Sequence, residues 1–404
     1  MHIKESSQLK EVVIVSSART PFGKFGGGLK DLQASDLGGI AIKEALSRAN
    51  IKGDQVDEVI YGLVVSAGQG QIPGRQAAIK AGIPHSVPVV TINKVCASSL
   101  KAITMAAQVI KAGDADIIVA GGMESMTNIP YVDKDQRWGS RMGHISMLDA
   151  MIHDGLWCPE NDAHMAVIGG NVAKENNITR EMMDQWSVRS QQRWAQAIKD
   201  GFFKEELVDV LIPSKKGDII ISEDEQPRGD TTLESLTKLK PLFNPQGAIT
   251  AGNAPSVNDG ATALVIMSKE KAEELGCPIL ATIKDYAQVS SESENISTVP
   301  GLAANKLLKK NNLTFNDIDL FEINEAFAAV TLTSGLAMMG MDEKTLDEKV
   351  NVNGGAVAVG HPIGATGGRI VMTLINQLRK SGKKTGVAAI CSGMGQGDAI
   401  LLEV

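Results

Sequence analysis

Apolar residues along the chain gather into short unbroken runs, and between the runs they recur every three to four positions. The runs near 12–18, 89–92, 116–124, 260–267, 279–286, 387–395 and 397–404 read as strands. Apolar runs that do not alternate with polar residues belong to strands covered on both faces. The intervening period is helical. From Ala97 through Leu100, Ile103, Ala107 and Ile110 the apolar positions share one face, and Gly113 ends the segment. "REMMDQWSVRSQQRWAQAIKDG" is a further helix. Strands alternating with helices predict the α/β class, with mixed or parallel sheets covered by helices on both faces.

The pattern occurs twice. "GIAIKEALSRANIKGDQVDEVIYG" (39–62) aligns with "GLAANKLLKKNNLTFNDIDLFEIN" (301–324) without a gap, at a constant offset of 262 residues. Leu46 meets Leu308, Asn50 meets Asn312, and Asp57 meets Asp319. Later elements recur in the same order. "VTINKVCASSLKAI" and "VNVNGGAVAVGHPIGATGGRI" each run from a strand through a small-residue loop into a helix. "DIIVAGGME" then matches "VAAICSGMG", and "GATALVIM" matches "GDAILLEV". Internal self-similarity of this kind marks a duplicated architecture. The first half would comprise residues 1–123 and 259–275, and the second 276–404. Residues 124–258 have no counterpart and read as an inserted loop domain for substrate and subunit contacts.

Composition narrows the function. At 404 residues the chain exceeds one ordinary core, which agrees with two halves. A content of 43% hydrophobic and 22% charged residues predicts a globular protein rather than a disordered one. The net charge of −7, with no basic stripe, argues against nucleic acid as a partner. Cys96, Cys158, Cys277 and Cys391 form no C-x-x-C pair, so neither zinc nor a disulfide framework is expected. The opening "MHIKESSQLK" lacks the apolar core of a signal peptide, and no apolar segment has the length of a membrane span. A cytoplasmic protein without membrane contact is expected.

Candidate chemistry lies in the strand-to-helix loops, where α/β folds collect ligand-binding groups. Cys96 opens a helix, whose N-terminal dipole and free N–H groups favour a thiolate. By residue type alone the small buried hydrophobe is the favoured reading. Cys391 reads as a core residue ending a buried strand. His361 lies among glycines in "GHPIGATGG", and Asn324 in "EINEAFAA" has the ordinary reading of a helix cap.

Taken together, "NKVCASSLKA", "AGGMESM", "INEAFAA", "NVNGGAVAVGHPIGATGGRIV" and the C-terminal "CSGMGQG" resemble the thiolases, in particular their acetyl-CoA acetyltransferase branch. The resemblance spans essentially the whole chain. It implies a five-layered α-β-α-β-α fold from two similar halves with a loop domain inserted in the first. It also implies a reversible ping-pong condensation of two acetyl-CoA to acetoacetyl-CoA and CoA. Under it Cys96 is the acylated nucleophile, His361 activates it, and Cys391 is the acid/base at the α-carbon. Asn324 holds a water that forms one oxyanion hole with His361; the N–H groups of Cys96 and Gly393 form the other. His164, Met165, Phe243, Ser256 and Phe327 line the pantetheine and acyl tunnel, with Arg228 at the nucleotide end. No cofactor or metal is implied, since coenzyme A thioesters are the substrates. A homotetramer built from dimers is expected.

The sequence departs from the family pattern in places. Met394 replaces a usual glycine, which would restrict the loop or narrow the acyl site. Pro255 stands where a serine usually meets pantetheine, with Ser256 next to it. Ala166 and Gly170 replace a glycine and a glutamate. A degradative 3-ketoacyl-CoA thiolase taking longer chains is the alternative within the class. A non-catalytic relative is disfavoured by the joint presence of Cys96, Asn324, His361 and Cys391, and a ketoacyl-carrier-protein synthase relative by the C-terminal cysteine. Asn93 and Lys94 have no role in this reading.

Overall fold

A computed structural model describes residues 9–215 and 217–404. Residues 1–8 of the stretch read above as lacking a leader's apolar core, and Lys216 of the polar turn "SKKGD", lie outside the described residues. Nine strands form the main sheet: β1 (Val12–Arg19), β2 (Glu58–Gly62), β3 (Val89–Ile92), β4 (Ile117–Ser125), β5 (Asn258–Ser268), β6 (Ala281–Ser290), β7 (Leu320–Ile323), β8 (Thr385–Ser392) and β9 (Gln396–Glu403). Their order is β7-β8-β9-β6-β1-β5-β4-β2-β3, and the short strand Gly23–Lys24 adds to the start of β5. The pairs β2–β3, β2–β4 and β7–β8 are parallel; the other main-sheet pairs are antiparallel.

The order is a near-palindrome about the β1–β6 pair, where Val13 faces Thr282 and Ile14 faces Ala281. One side reads β1-β5-β4-β2-β3 and the other β6-β9-β8-β7. The second half has no fifth strand, but Val350 makes a parallel bridge to Phe321, as Val89 does to Val59. Details of the repeat persist. Asn50 and Asn312 both take a left-handed conformation after their helices, with φ of 53° and 56°. The Asp57 carboxylate accepts from the N–H groups of Asp116 and Ile117, and that of Asp319 from Lys384 and Thr385. In each half this aspartate therefore caps the start of the neighbouring strand.

Seven helices matter for the site: α1 (Ala34–Ala49), α2 (Ser98–Ala112), α3 (Met165–Glu175), α4 (Arg180–Lys199), α5 (Val299–Lys310), α6 (Ala328–Leu332) and α7 (Thr366–Ser381). Strand side chains alternate between layers. In β5, Ala261, Ala263, Val265 and Met267 join the core beneath α1, whereas Leu264 and Ile266 join the core around α2 and α7. In β8, Ala388 and Ile390 enter that same central core, while Val387, Ala389 and Cys391 join the core beneath α5 and α6. The helices α2 and α7 thus lie between the two halves of the sheet, giving five layers: α, β, α, β, α. Their close approach requires Gly367, because a Cβ there would sit 2.4 Å from the Leu100 nitrogen. Ile103 and Ile370 are fully buried in this central layer; each such side chain contributes about 1.5–3 kcal/mol.

Between Ser125 and Asn258 the chain leaves the sheet and returns beside its point of departure, with Asp259 facing Ser125. This excursion carries α3, α4 and several short hairpins. It is tied back at the end of β1. The fully buried Arg19 pairs with Glu206 at 2.8 Å and with Asp224 at 2.7 Å. Among the described residues no helix is long and apolar enough to cross a membrane.

Candidate active site

The loop between β3 and α2 carries Cys96 on a strained turn. Val95 has φ of +43°, uncommon for a β-branched residue. Polar side chains hold it there. Asn93 Oδ1 accepts from the Val95 N–H at 2.9 Å, and Asn93 Nδ2 donates to the Val64 carbonyl at 3.1 Å. Ser98 Oγ accepts from the Lys94 N–H at 2.9 Å and donates to the Val95 carbonyl at 2.7 Å. Ser99 Oγ accepts from the Gly368 N–H at 2.9 Å and so joins α2 to α7. Cys96 is 8% exposed, and burial pushes its pKa up to about 12. Burial therefore outweighs the helix N-terminus, and the resting group is a thiol.

His361 lies on the loop before α7, the counterpart of the Cys96 loop. Three buried side chains fix this loop. The His361 N–H donates to Asn258 Oδ1 at 3.0 Å, and the Gly364 N–H donates to Glu124 Oε2 at 3.0 Å. Glu124 also accepts from the N–H groups of Val64 and Val65, while burial raises its pKa to about 8. The third is Thr366, whose Oγ1 lies 2.7 Å from His361 Nδ1. The Thr366 hydroxyl donates to the Pro362 carbonyl at 3.0 Å. Its single proton is thereby used, so it accepts from His361, which carries its proton on Nδ1. Nε2 then presents a lone pair, and it has no hydrogen-bond partner among the described residues. Burial, with the Arg369 charge adding, lowers the His361 pKa to about 3, so the ring is neutral.

Cys391 is the penultimate residue of β8 and is fully buried. Burial raises its pKa well above the ordinary thiol value, and nearby Cys96 raises it further. Asn324 follows β7, fully buried, and its N–H donates to the Ala389 carbonyl at 2.9 Å. Neither its side-chain oxygen nor its nitrogen has a hydrogen-bond partner among the described residues. It therefore does not cap α6, whose N-cap is Phe327. The adjacent Glu325 anchors the loop by accepting from Trp186 Nε1, Ser190 Oγ, Asn351 Nδ2 and the Val357 N–H.

An apolar cavity of about 260 Å³ opens onto this centre. Cys96, His361 and Gly393 line it together, and so do His164, Met165, Phe243, Ser256 and Phe327. His164 N-caps α3 through Nδ1, which accepts from the Ala166 N–H at 3.1 Å. Its ring stacks on Phe243 with centroids 3.9 Å apart. Phe243 itself is 62% exposed, which puts the stacked pair at the mouth. Pro255 and Ser256 both line the wall, and the Ser256 hydroxyl donates to Asn258 Oδ1 at 2.7 Å. Cys391 and Asn324 lie outside the lining. Arg228 also lies outside it, with an exposed side chain and its backbone N–H donating to Gln191. Met394 has φ of +63°, and its sulfur lies 3.8 Å from Cys158 Sγ rather than in the cavity wall. The expected narrowing of the acyl site by Met394 is thus not what the geometry gives.

Sequence reading missed Thr366, Glu124 and Asn258, which position His361. Glu124 stood in the quoted "AGGMESM" without a role. Thr366 lies one turn beyond Pro362, where its hydroxyl can reach back to the loop. The apolar wall of Met126, Met151, Leu156 and Ile363 was also missed, because those residues converge from distant segments.

These features define a duplicated α/β protein with a cysteine–histidine centre where its halves meet. Comparison with known proteins extends this. Residues 12–270 match the family described as "Thiolase, N-terminal domain" and residues 277–404 match "Thiolase, C-terminal domain". The chain belongs to the thiolase family. It is 50% identical over 396 residues to an acetyl-CoA acetyltransferase of Cupriavidus necator, covering 98% of this chain and 100% of the relative. An acetyl-CoA acetyltransferase of Yarrowia lipolytica is 48% identical over 396 residues, 98% of this chain and 97% of the relative. The crystal structure of the Bacillus anthracis acetyl-CoA acetyltransferase superposes with a TM-score of 0.94 at 38% identity, covering 98% and 100% of the two chains.

Proposed function

We infer that the chain is an acetyl-CoA C-acetyltransferase that condenses two acetyl-CoA to acetoacetyl-CoA and CoA, reversibly, through an acetyl-cysteine. The observation that carries this is the neutral His361 with a free Nε2 lone pair, on the same apolar cavity as Cys96. Nε2 takes the Cys96 proton as the sulfur attacks the thioester carbonyl. The tetrahedral oxyanion is held by the N–H groups of Cys96 and Gly393. CoA leaves and takes the proton of Cys391, which leaves acetyl-Cys96, protonated His361 and a Cys391 thiolate.

The second acetyl-CoA then enters. The Cys391 thiolate removes its α-proton, and its raised pKa makes it a base strong enough for so weak an acid. The enolate oxygen is stabilised by the Nε2–H of protonated His361 and by a water on Asn324, whose amide has no other partner among the described residues. The carbanion attacks the acetyl carbonyl. Cys96 leaves and recovers its proton from His361. Splitting the transfer into two covalent steps is the purpose of the nucleophile, and the sequence balances without metal or redox cofactor.

His164, Met165, Phe243, Ser256 and Phe327 would hold pantetheine and the acyl group, with Arg228 reaching the nucleotide end from outside the cavity. A homotetramer in the cytoplasm completes the reading; light scattering and cell fractionation test those two parts. The central test is mass spectrometry of the protein mixed with acetyl-CoA, in which an acetyl group on Cys96 is expected. Thiolysis rates for acetoacetyl-CoA against 3-ketohexanoyl-CoA and longer esters test chain length. A clear preference for long chains would overturn the acetyl assignment in favour of a degradative thiolase.

A further inference from the structure

Lys94 lies two residues before Cys96, and both its backbone and its side chain reach the other half of the molecule. Its carbonyl accepts from Ser392 Oγ at 2.6 Å, immediately after Cys391. Its ammonium lies 2.7 Å from Asp398 Oδ2 and donates to Gln288 Oε1 at 3.1 Å. Asp398 is on β9 opposite Ile390, the residue before Cys391, and Gln288 pairs with Asp398 across β6 and β9. The Asp398 side chain is 0% exposed and that of Lys94 13% exposed. The carboxylate makes no well-aligned hydrogen bond among the described residues, so the ammonium contact is an ion pair. A buried charge of this kind is costly unless paired, and its partner is the residue that begins the strained Val95 turn. Lys94 thus touches the strand pair on both sides of Cys391 while holding the turn that carries Cys96.

We propose that Lys94 and Asp398 are positioning residues that set the Cys96 sulfur against Cys391 for the condensation step. The proposal rests on the mechanism above and deepens it. Acetylation needs the Cys96 sulfur at His361, whose loop is held separately by Glu124, Asn258 and Thr366; it asks of Cys391 only a proton for the departing CoA, which is a good leaving group even as a thiolate. Condensation needs both sulfurs in register across the two halves. A displacement of about 1 Å between reacting groups costs roughly a hundredfold in rate. Loss of the pair therefore falls on condensation and spares acetylation.

The experiment uses the full-length enzyme with Lys94→Met, Lys94→Arg, Asp398→Asn and the double variant Lys94→Met/Asp398→Asn. The double variant leaves no unpaired buried charge, so it remains testable if a single variant fails to fold. Single-turnover acetylation of Cys96 is followed by mass spectrometry, and steady-state condensation gives kcat and KM for acetyl-CoA. The expected result in the Met, Asn and double variants is condensation kcat lower by roughly ten- to a hundredfold. Acetylation stays within about threefold, KM is little changed, and Lys94→Arg recovers most of the loss. Acetylation and condensation falling together, or neither falling, would overturn the proposal and leave the pair a structural one. If the unaltered enzyme is never acetylated on Cys96, the proposed function fails instead, and the two failures are told apart by that control.

Discussion

Replacing Thr366 with valine tests the tautomer on which the mechanism depends. The substitution keeps the β-branched shape and removes one hydroxyl at a fully buried site. The Pro362 carbonyl keeps the N–H groups of Ala365 and Thr366, so it is not orphaned. The loss falls on His361 Nδ1–H, which is left without its 2.7 Å acceptor. An unsatisfied buried donor costs about 1–3 kcal/mol. The ring can escape that cost by moving its proton to Nε2, but it then has no lone pair for the Cys96 thiol. The active tautomer is depleted by the same free energy, which corresponds to roughly 5- to 150-fold in the acetylation rate. Rapid-quench acetylation of Cys96 measures this directly. Thr366→Ser retains the hydroxyl and is expected within about threefold of the parent. Acetylation of Thr366→Val at the parental rate, or equal losses for valine and serine, would refute the tautomer argument.

Three further outcomes follow from the same geometry. Asn324→Ala removes no protein hydrogen bond from the side chain, so thermal stability should change by less than about 1 kcal/mol while condensation falls roughly 10²- to 10³-fold; a large loss of stability would show that the amide is structural. Met394→Gly relieves a left-handed φ of +63°, worth about 1 kcal/mol, and should leave the ratio of acetoacetyl-CoA to 3-ketohexanoyl-CoA thiolysis within about twofold, because the side chain lies outside the cavity wall; a broadened chain-length profile would count against that placement. His361 has a folded pKa depressed to about 3 against 6.5, so the unfolded chain binds the extra proton. Its contribution is fully present above pH 6.5 and is lost as pH falls towards 3, about 2 kcal/mol being lost by pH 5. His361→Asn should therefore flatten the acid limb of denaturant-melting stability between pH 6.5 and 4; an unchanged slope would refute the buried neutral ring.

The duplication was legible because it is written locally. A helix, a left-handed asparagine and an aspartate that caps the next strand occupy some twenty consecutive residues in each half, and each half repeats them with its own contacts. Strands were legible because burial on both faces leaves little room for polar residues. Cys391 shows the limit of such reading. Its placement as a core residue ending a strand is correct, and the same placement brings it beside Cys96, so one pattern serves both interpretations. Asn324 shows another limit: residue type favours a cap, but only the three-dimensional arrangement reveals that its amide meets no partner among the described residues. Arg228 was expected at the nucleotide end of the tunnel, and its side chain is exposed and apart from the cavity lining. Thr366, Glu124 and the Lys94–Asp398 pair act across the two halves, and no local periodicity marks such partners.

The repeat also explains why the centre sits where it does. The Cys96 loop and the His361 loop are equivalent, each leading from a strand or bridge into a central helix. Each also takes one clasp from the half to which it does not belong. Glu124, at the end of β4 in the first half, binds the Gly364 N–H on the second-half loop. Ser392 and Asp398, on β8 and β9 of the second half, bind Lys94 on the first-half loop. The two clasps are therefore reciprocal in placement but different in chemistry: a buried glutamate side chain on backbone N–H groups in one, the Lys94–Asp398 ion pair and the Ser392 hydroxyl in the other. The two loops present different groups, a sulfur on one and an imidazole on the other, and unlike clasps let each loop be set by its own contacts.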